Sequence, residues 1–446
     1  MTTKSEILCV CLLSALLISM LAGCAPTNPV ETTATDSTVS FGTTMTISEM
    51  STATSASITT TAKTTLATQD TAPHVTETTV PATEPATEPA KEWRLGLITS
   101  GLDSPNPILT WYQDLETVVA ELDIVYEVKE GIHTDAECAA AAEAFAEAGF
   151  NAVISMETWM EPAFEQSAAK YPNVQFFLCG GQDGRSAGHD NYHCFSARFH
   201  DGRYLTGIAA GMKLNDMIIS GRIRANAAKV GYLGTTDSPE VISAYTSFYL
   251  GVRSVCNSAK MEVLFAGNEN DANAELAAAQ QLAADGCVLT AMHTSTMSMT
   301  GVVEGIPFVG VQGDLSPLMP DRFLTAIRLD WTGLLRQMLT AARAGAAIPA
   351  ELCGTLSDGT VSLCPINEAV AVAGTAETVA KAAAALADGS LHVFDTSTFT
   401  VNGKELTSFH PENKSDMELV SDGYFHESEY RNVPCFSLKI DGIEIG

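Results

Sequence analysis

The feature that most constrains this chain is a regular alternation of strand-like and helix-like segments, which occurs twice along the sequence. The first series runs from residue 93 to residue 178, and the second runs from residue 229 to residue 311. The strand segments are short, apolar and without polar alternation, which is typical of parallel strands buried on both faces. The sequence therefore predicts an α/β fold made of two doubly wound parallel-sheet lobes.

Each series can be divided into its elements. The first contains the strands WRLGLIT, DIVYEV, NAVISM and NVQFFL, and helices separate them. The second contains the strands KVGYLG, KMEVLFAG, CVLTAMH and IPFVGV, again with helices between them. A later strand and helix, FLTAIRLDW and TGLLRQMLTAARAG, are predicted to return to the first lobe. Ligands of such folds bind at the carboxyl ends of the strands and between the lobes.

The residues before this alternation have the composition of a secretion signal and a tether. Residues 7–21 are apolar, but about 15 residues are too few for a membrane-spanning helix, which needs about 20. The sequence Leu21-Ala22-Gly23-Cys24 follows and resembles a bacterial lipoprotein signal, with cleavage before Cys24 and lipid on its sulfur. The alternative is an ordinary cleaved signal that contains a cysteine.

The segment after Cys24 is rich in Thr, Ser, Ala and Pro and contains the near-repeat PATEPATEPA. Such a composition buries too little apolar surface to offset the entropy of ordering, so residues 24–92 are predicted to form a disordered tether. Its reach as a flexible coil is roughly 45 Å. Residues 1–23 are the predicted signal peptide.

Residues 93–446, which follow the tether, are numerous enough for two lobes. We assign residues 93–226 and 325–350 to the first lobe, and residues 227–324 and 351–446 to the second lobe with a C-terminal extension. The formal net charge of −29 argues against nucleic acid as a partner.

The cysteines do not form a metal or redox motif. Of 11 cysteines, two lie in the signal, one is Cys24, and the other eight are scattered without a CxxC pair. No cofactor is predicted. Cys353 and Cys364 are either a disulfide in an oxidising exterior or buried thiols.

Two motifs suggest chemistry at first sight. Residues 184–188 satisfy G-x-S-x-G around Ser186, but no strand ends directly before Ser186 and no helix begins after it, as a nucleophile elbow requires. His189, Asp190 and His193 lack a fourth ligand at a suitable spacing. Both stretches are interpreted as surface loops, and we do not expect an enzyme.

Polar and aromatic residues follow four of the predicted strands. Such side chains at strand ends can stack on a small ligand and fix its orientation. Trp159 and Trp331 are equally consistent with core positions. The four groups are Glu157, Thr158 and Trp159; His293, Thr294 and Ser295; Gln312, Gly313 and Asp314; and Arg328, Asp330 and Trp331.

The stretch from residue 191 to residue 344 resembles the basic membrane protein family of transporter-associated solute-binding lipoproteins. The resemblance is carried by ARFHDGRYLTGIAAGM, by KVGYLGTTDSPEVISAYTSFYLGVRSV, by NENDANAELAAAQQLAADGCVL, by VGVQGD and by LTAIRLDW. It implies a type I periplasmic-binding-protein fold whose lobes close on the ligand. The family's known members bind nucleosides, and one subgroup is associated with purine bases.

The resemblance also implies ligand contacts by position. It assigns them to Asp103, Phe195, His293, Thr294, Asp314, Arg328 and Trp331, beside Glu157 and Trp159 from the strand ends. The chain departs from the family in two places. The first loop reads Leu102-Asp103-Ser104-Pro105-Asn106, and Gln312 replaces an acid. In nucleoside-binding members of the family both places carry acids, which suit ribose hydroxyls. The loss of these acids favours a nucleobase or another small solute.

These observations together predict a monomeric, lipid-anchored, extracytoplasmic solute-binding protein of an ABC importer. Its ligand would be a purine nucleobase or nucleoside, bound between the lobes and delivered to a permease. The alternatives are a surface sensor of the same fold without a transport role, and a binder of another solute such as a sugar. A surface hydrolase and an adhesin on a Thr-rich stalk are further alternatives.

Overall fold

The computed structural model describes residues 92–102, 107–181, 188–267, 271–293, 303, 305–411 and 416–446. Several predictions therefore fall outside the described residues. They concern the signal peptide, Cys24, the tether, Asp103, Ser186 and Thr294.

The first sheet has six strands, and all of its pairings are parallel. Its central strands are largely buried, as expected where helices cover both faces. In spatial order the strands are β11 (Glu351–Gly354), β5 (Tyr192–Ala197), β4 (Gln175–Cys179), β3 (Ala152–Ser155), β1 (Arg94–Ile98) and β2 (Val125–Lys129).

Helices pack on both faces of this sheet. On one face, α1 (Pro107–Glu121) and α7 (Thr332–Arg343) enclose a core that includes Trp111 and Phe177. On the other face, α2 (Asp135–Glu147) and α3 (Glu161–Lys170) pack through side chains such as Phe145 and Phe164. The predicted doubly wound architecture is confirmed for this lobe.

The second sheet has seven strands, parallel except for one antiparallel pairing, between β10 (Phe323–Leu329) and β12 (Val361–Leu363). In spatial order they are β12 (Val361–Leu363), β10 (Phe323–Leu329), β9 (Phe308–Gln312), β8 (Leu289–Met292), β6 (Lys229–Gly234), β7 (Lys260–Phe265) and β15 (Ile443–Ile445).

One face of the second sheet is covered by α4 (Phe199–Ile219) and α5 (Pro239–Val255), which share a core with β6 and β7. Leu282 of α6 (Ala272–Ala284) packs against Leu233 on the opposite face. The C-terminal extension adds α8 (Thr375–Ala387) and the hairpin β13 (Val420–Ser421) and β14 (Tyr424–Phe425) to the α4–α5 side.

The chain crosses between the two sheets three times, after β5, after β10 and after β11. These crossings correct the predicted lobe boundaries in three places. Residues 325–329 belong to the second sheet because β10 pairs with β9. Residues 351–354 belong to the first sheet because β11 pairs with β5. Helix α4 lies in the second lobe because it packs on α5 rather than on the first sheet.

Several side chains have roles that the sequence left open or misplaced. Cys353 and Cys364 are both free thiols. His193, predicted in a surface loop, is buried within β5, where its ring nitrogens lie 2.8 Å from Gln175 Oε1 and 3.0 Å from the Pro349 carbonyl.

Each helix among the described residues is too short or too polar to span a bilayer.

Candidate ligand-binding site

At the carboxyl edge of the first sheet, a carboxylate joins the ends of two strands. Glu157 follows β3, and its Oε1 accepts hydrogen bonds from Thr99 Oγ1 at 2.9 Å and from the backbone N–H of Ser100 at 2.6 Å. Its other oxygen accepts from Trp159 Nε1 at 2.9 Å. Glu157 is buried, whereas 38% of Trp159 is exposed. The Glu157 carboxylate thus orients an indole ring that remains accessible at the strand ends.

The turn that carries these side chains is closely packed. The hydroxyl of Ser155 accepts a hydrogen bond from the Glu157 backbone N–H at 3.2 Å, and Met160 anchors the turn in the core. Gly180, at the end of the neighbouring strand, has a φ of +71° and lies against the Thr158 methyl group, which would clash with a Cβ there. A glycine is required at this position for the turn to pack.

At the carboxyl edge of the second sheet, His293 follows β8. Its Nδ1 lies 3.2 Å from the Tyr232 hydroxyl, and its ring packs on Phe199 with centroids 5.8 Å apart. Arg203 of α4 is fully buried, and its guanidinium packs against the rings of Phe199 and Tyr232. The Arg203 guanidinium donates to the Met292 carbonyl at 2.8 Å, so it holds the end of β8 in place.

The electrostatics around His293 favour a neutral imidazole. Burial and, to a smaller extent, the nearby positive charge of Arg203 together lower its pKa to about 3. A neutral imidazole has one donor and one acceptor nitrogen. This side chain can therefore form hydrogen bonds with a polar ligand without carrying charge.

The other predicted second-lobe residues are more exposed. Asp314 is exposed, and its Oδ1 accepts from the Ser316 backbone N–H at 2.8 Å, so it stabilises its own turn. Arg328 is exposed at the end of β10, close enough to influence Asp114 of α1. Burial raises the pKa of Asp114, and the hydrogen bond from the Trp331 backbone and the charge of Arg328 oppose this rise.

Phe195 and Trp331 require a correction. They are 0% and 4% exposed and pack edge to face in the core of the first lobe, with centroids 5.9 Å apart. Phe195 also stacks with Trp111. Their predicted role as ligand contacts is replaced by a role in packing, because buried rings in mutual contact stabilise the lobe.

Four residues of this region were not singled out from the sequence: Thr99, Ser100, Arg203 and Tyr232. Thr99 and Ser100 follow β1, so the same strand-end rule that selected Glu157 applies to them. Arg203 and Tyr232 lie inside elements, and no local signal distinguishes them from other helix and strand residues.

Two doubly wound sheets with three crossings between them define the type I periplasmic-binding-protein fold. Residues 111–312 match the family described as ABC transporter substrate-binding protein PnrA-like. The resemblance to the basic membrane protein family is thereby confirmed over this central stretch. That family consists of solute-binding proteins rather than enzymes, and it acts outside the cytoplasm.

A purine-binding protein of Brucella abortus (strain 2308) is 30% identical over 175 residues. The aligned stretch is 39% of this chain and 45% of that relative, so the similarity spans less than half of the relative's length.

Solved structures support the fold. An ABC transporter solute-binding protein from Conexibacter woesei has a TM-score of 0.54 at 20% identity and covers 67% of this chain and 98% of its own. A solute-binding protein from Aeropyrum pernix has a TM-score of 0.56 at 12% identity and covers 68% and 93%. At these identities the similarity establishes the architecture alone.

Proposed function

We propose that this protein is a lipid-anchored receptor that binds a purine nucleobase or nucleoside between its lobes and delivers it to an ABC permease. The observation that carries the proposal is the accessible Trp159 ring, held by Glu157 at the strand ends of a chain from this family. The purine-binding relative from Brucella abortus supports the same ligand class.

The chemistry of the two strand edges suits a flat heterocycle. Trp159 offers a partly exposed aromatic face on which a base can stack. On the second lobe, the neutral His293 supplies a hydrogen-bond donor or acceptor for a base edge. Leaving one such group unpaired costs about 1–3 kcal/mol, which is enough to discriminate between related solutes.

Binding would proceed by closure of the lobes. A ligand that contacts both strand edges at once stabilises the closed state over the open one, and it shifts the population accordingly. The three crossings are the segments about which the lobes rotate. The tether leaves the receptor free to reach a permease while it stays attached to the membrane.

The Trp159→Ala variant is expected to bind purines between about fivefold and a hundredfold more weakly, since stacking a base on an aromatic side chain contributes about 1–3 kcal/mol. Isothermal titration calorimetry with adenine and adenosine measures this change. Trp93→Ala is the matched control. Trp93 lies directly before β1, so it is at the amino edge of the sheet, whereas Trp159 is at the carboxyl edge. An equal loss in both variants would contradict a role for Trp159 in binding.

The ligand class is tested by thermal unfolding against purine bases, nucleosides, pyrimidines and sugars. A ligand at a hundred times its Kd adds about 2.7 kcal/mol to the free energy of unfolding. Stabilisation by a purine that is lost in Trp159→Ala supports the proposal. Stabilisation by sugars alone would refute the ligand class. No stabilisation by any solute would favour the adhesin alternative or a sensor of some other ligand.

Lipid attachment makes a separate prediction. Cells fed a labelled fatty acid should incorporate the label into the wild-type protein but not into the Cys24→Ser variant, because the thioether requires the Cys24 sulfur. Cys11→Ser, within the apolar run of the signal, is the matched control and should keep the label. Label retained in Cys24→Ser, or absent from the wild type, would refute the anchor.

A further inference from the structure

A cavity lies away from the strand edges, between the start of α4 and the C-terminal extension. It has a volume of about 220 Å³. We call it the crossover cavity because Arg198, in its wall, belongs to the first crossing between the sheets. Glu157, Trp159 and His293 do not line it, so it is distinct from the proposed purine site. Its walls include Arg198, His200, Asp201, Phe394, Tyr424 and Glu429.

The crossover cavity has an excess of negative charge. Asp201, Glu427 and Glu429 line it, whereas Arg198 is the one lysine or arginine in its wall. Burial lowers the pKa of His200 well below its usual range, and the Arg198 charge adds to this effect, so His200 is neutral. The walls thus favour a ligand that carries positive charge.

Two of the three carboxylates are already hydrogen-bonded within the protein. Glu427 accepts from Ser243 Oγ at 2.6 Å and from the backbone N–H groups of Cys435 and Phe436, each at 3.0 Å. Glu429 accepts from Tyr424 at 3.1 Å, and its Oε2 lies 2.6 Å from His426 Nδ1. Neither of them needs a ligand to satisfy its oxygens.

Asp201 differs from them. It is only 4% exposed, yet its contacts with Arg198 Nε at 3.5 Å and with His200 Nε2 at 3.4 Å are longer than the 2.7–2.9 Å of a good charge-assisted hydrogen bond. Arg198 Nε itself makes no hydrogen bond to the described residues. Burial raises the pKa of Asp201, the Arg198 charge opposes this rise and the Glu429 charge adds to it, and the resulting pKa is about 6. A buried carboxylate without a close donor therefore lines the cavity.

The remaining walls suit a small aliphatic cation. Phe394 and Phe425 present aromatic surface, and Tyr424 stacks on His392 with ring centroids 3.5 Å apart. Aromatic faces attract ammonium groups. A cavity of this volume has room for a ligand of several non-hydrogen atoms.

We propose that the crossover cavity binds a short aliphatic primary amine, whose ammonium group donates to the Asp201 carboxylate between the aromatic walls. An alcohol of the same length lacks the charge, and a carboxylate would be repelled by Glu429 and Asp201. The site would therefore distinguish three molecules of nearly equal size by charge alone.

The test is calorimetric titration of the purified protein with n-butylamine, n-butanol and butyrate. Butylamine is expected to bind, and the alcohol and the acid are expected not to bind. The isosteric Asp201→Asn variant should bind butylamine at least tenfold more weakly. Asp321→Asn, on a side chain that is 80% exposed, is the matched control and should bind as the wild type does.

A second variant keeps the charge and removes the space. Leu391→Trp should fill the cavity and abolish amine binding with Asp201 intact, while Trp159→Ala should leave amine binding unchanged. Equal binding of butylamine and butanol, undiminished binding in Asp201→Asn or Leu391→Trp, or no amine binding by the wild type would each overturn the proposal. None of these outcomes bears on purine binding.

Discussion

The Gly251→Ala variant should lose about 2–3 kcal/mol of the free energy of unfolding. Gly251 lies where α5 approaches α4 so closely that a Cβ would overlap the backbone carbonyl of Tyr204. A backbone carbonyl cannot move aside without shifting its helix, and overpacking of this kind costs about 1–3 kcal/mol or more. The gain in helix propensity from glycine to alanine, up to about 1 kcal/mol, does not offset this. Urea unfolding followed by circular dichroism measures the difference.

Two further glycines make this prediction specific. Gly207, on the facing helix, lies equally close to the backbone carbonyl of Phe248, so Gly207→Ala should be destabilised to a similar extent. Gly333 of α7 is the matched control, because a Cβ there would meet its nearest neighbour, the Asp358 carbonyl oxygen, at 3.9 Å. Gly333→Ala should be neutral or slightly stabilised. Equal stability of all three variants would mean that α4 and α5 do not approach so closely.

The same glycines show why the lobe boundaries were not predictable from the sequence. ARFHDGRYLTGIAAGM is recognisable as a helix, but the lobe in which it lies depends on its contact with α5, some forty residues further on. Likewise, nothing in the local sequence of β10 or β11 indicates which of the two sheets the strand joins. Periodicity identifies a buried parallel strand, whereas its neighbour is set by long-range pairing.

The candidate site was likewise predictable from the sequence only in part. The sequence predicts Glu157 and Trp159 at a strand end, and the structure places them there. The partners of Glu157, Thr99 and Ser100, lie more than fifty residues away in the chain. An aromatic residue near a strand end can face a ligand or the core, and composition alone does not decide between these, as Phe195 and Trp331 show.

A buried carboxylate attaches the C-terminal extension to the second lobe. Glu427 is 1% exposed and accepts hydrogen bonds from Ser243 of α5 and from the backbone of Cys435 and Phe436. Burial raises its pKa, and these hydrogen bonds oppose the rise. The aromatic ring of Phe436 stacks on Phe394 close by, so the carboxylate and an aromatic cluster stabilise the same segment.

The Glu427→Ala variant is therefore expected to lose at least about 3 kcal/mol, since it leaves three buried donors without an acceptor, and each unsatisfied group costs about 1–3 kcal/mol. Glu418 provides the matched control. Its carboxylate also accepts from two backbone N–H groups, at 2.8 and 2.9 Å, but 38% of its side chain is exposed. Water can accept these hydrogen bonds in place of the Glu418 carboxylate, so Glu418→Ala should lose much less of the free energy of unfolding. Equal losses in urea unfolding would show that burial does not determine the cost. A small loss in Glu427→Ala alone would mean that the aromatic cluster holds the extension without the carboxylate.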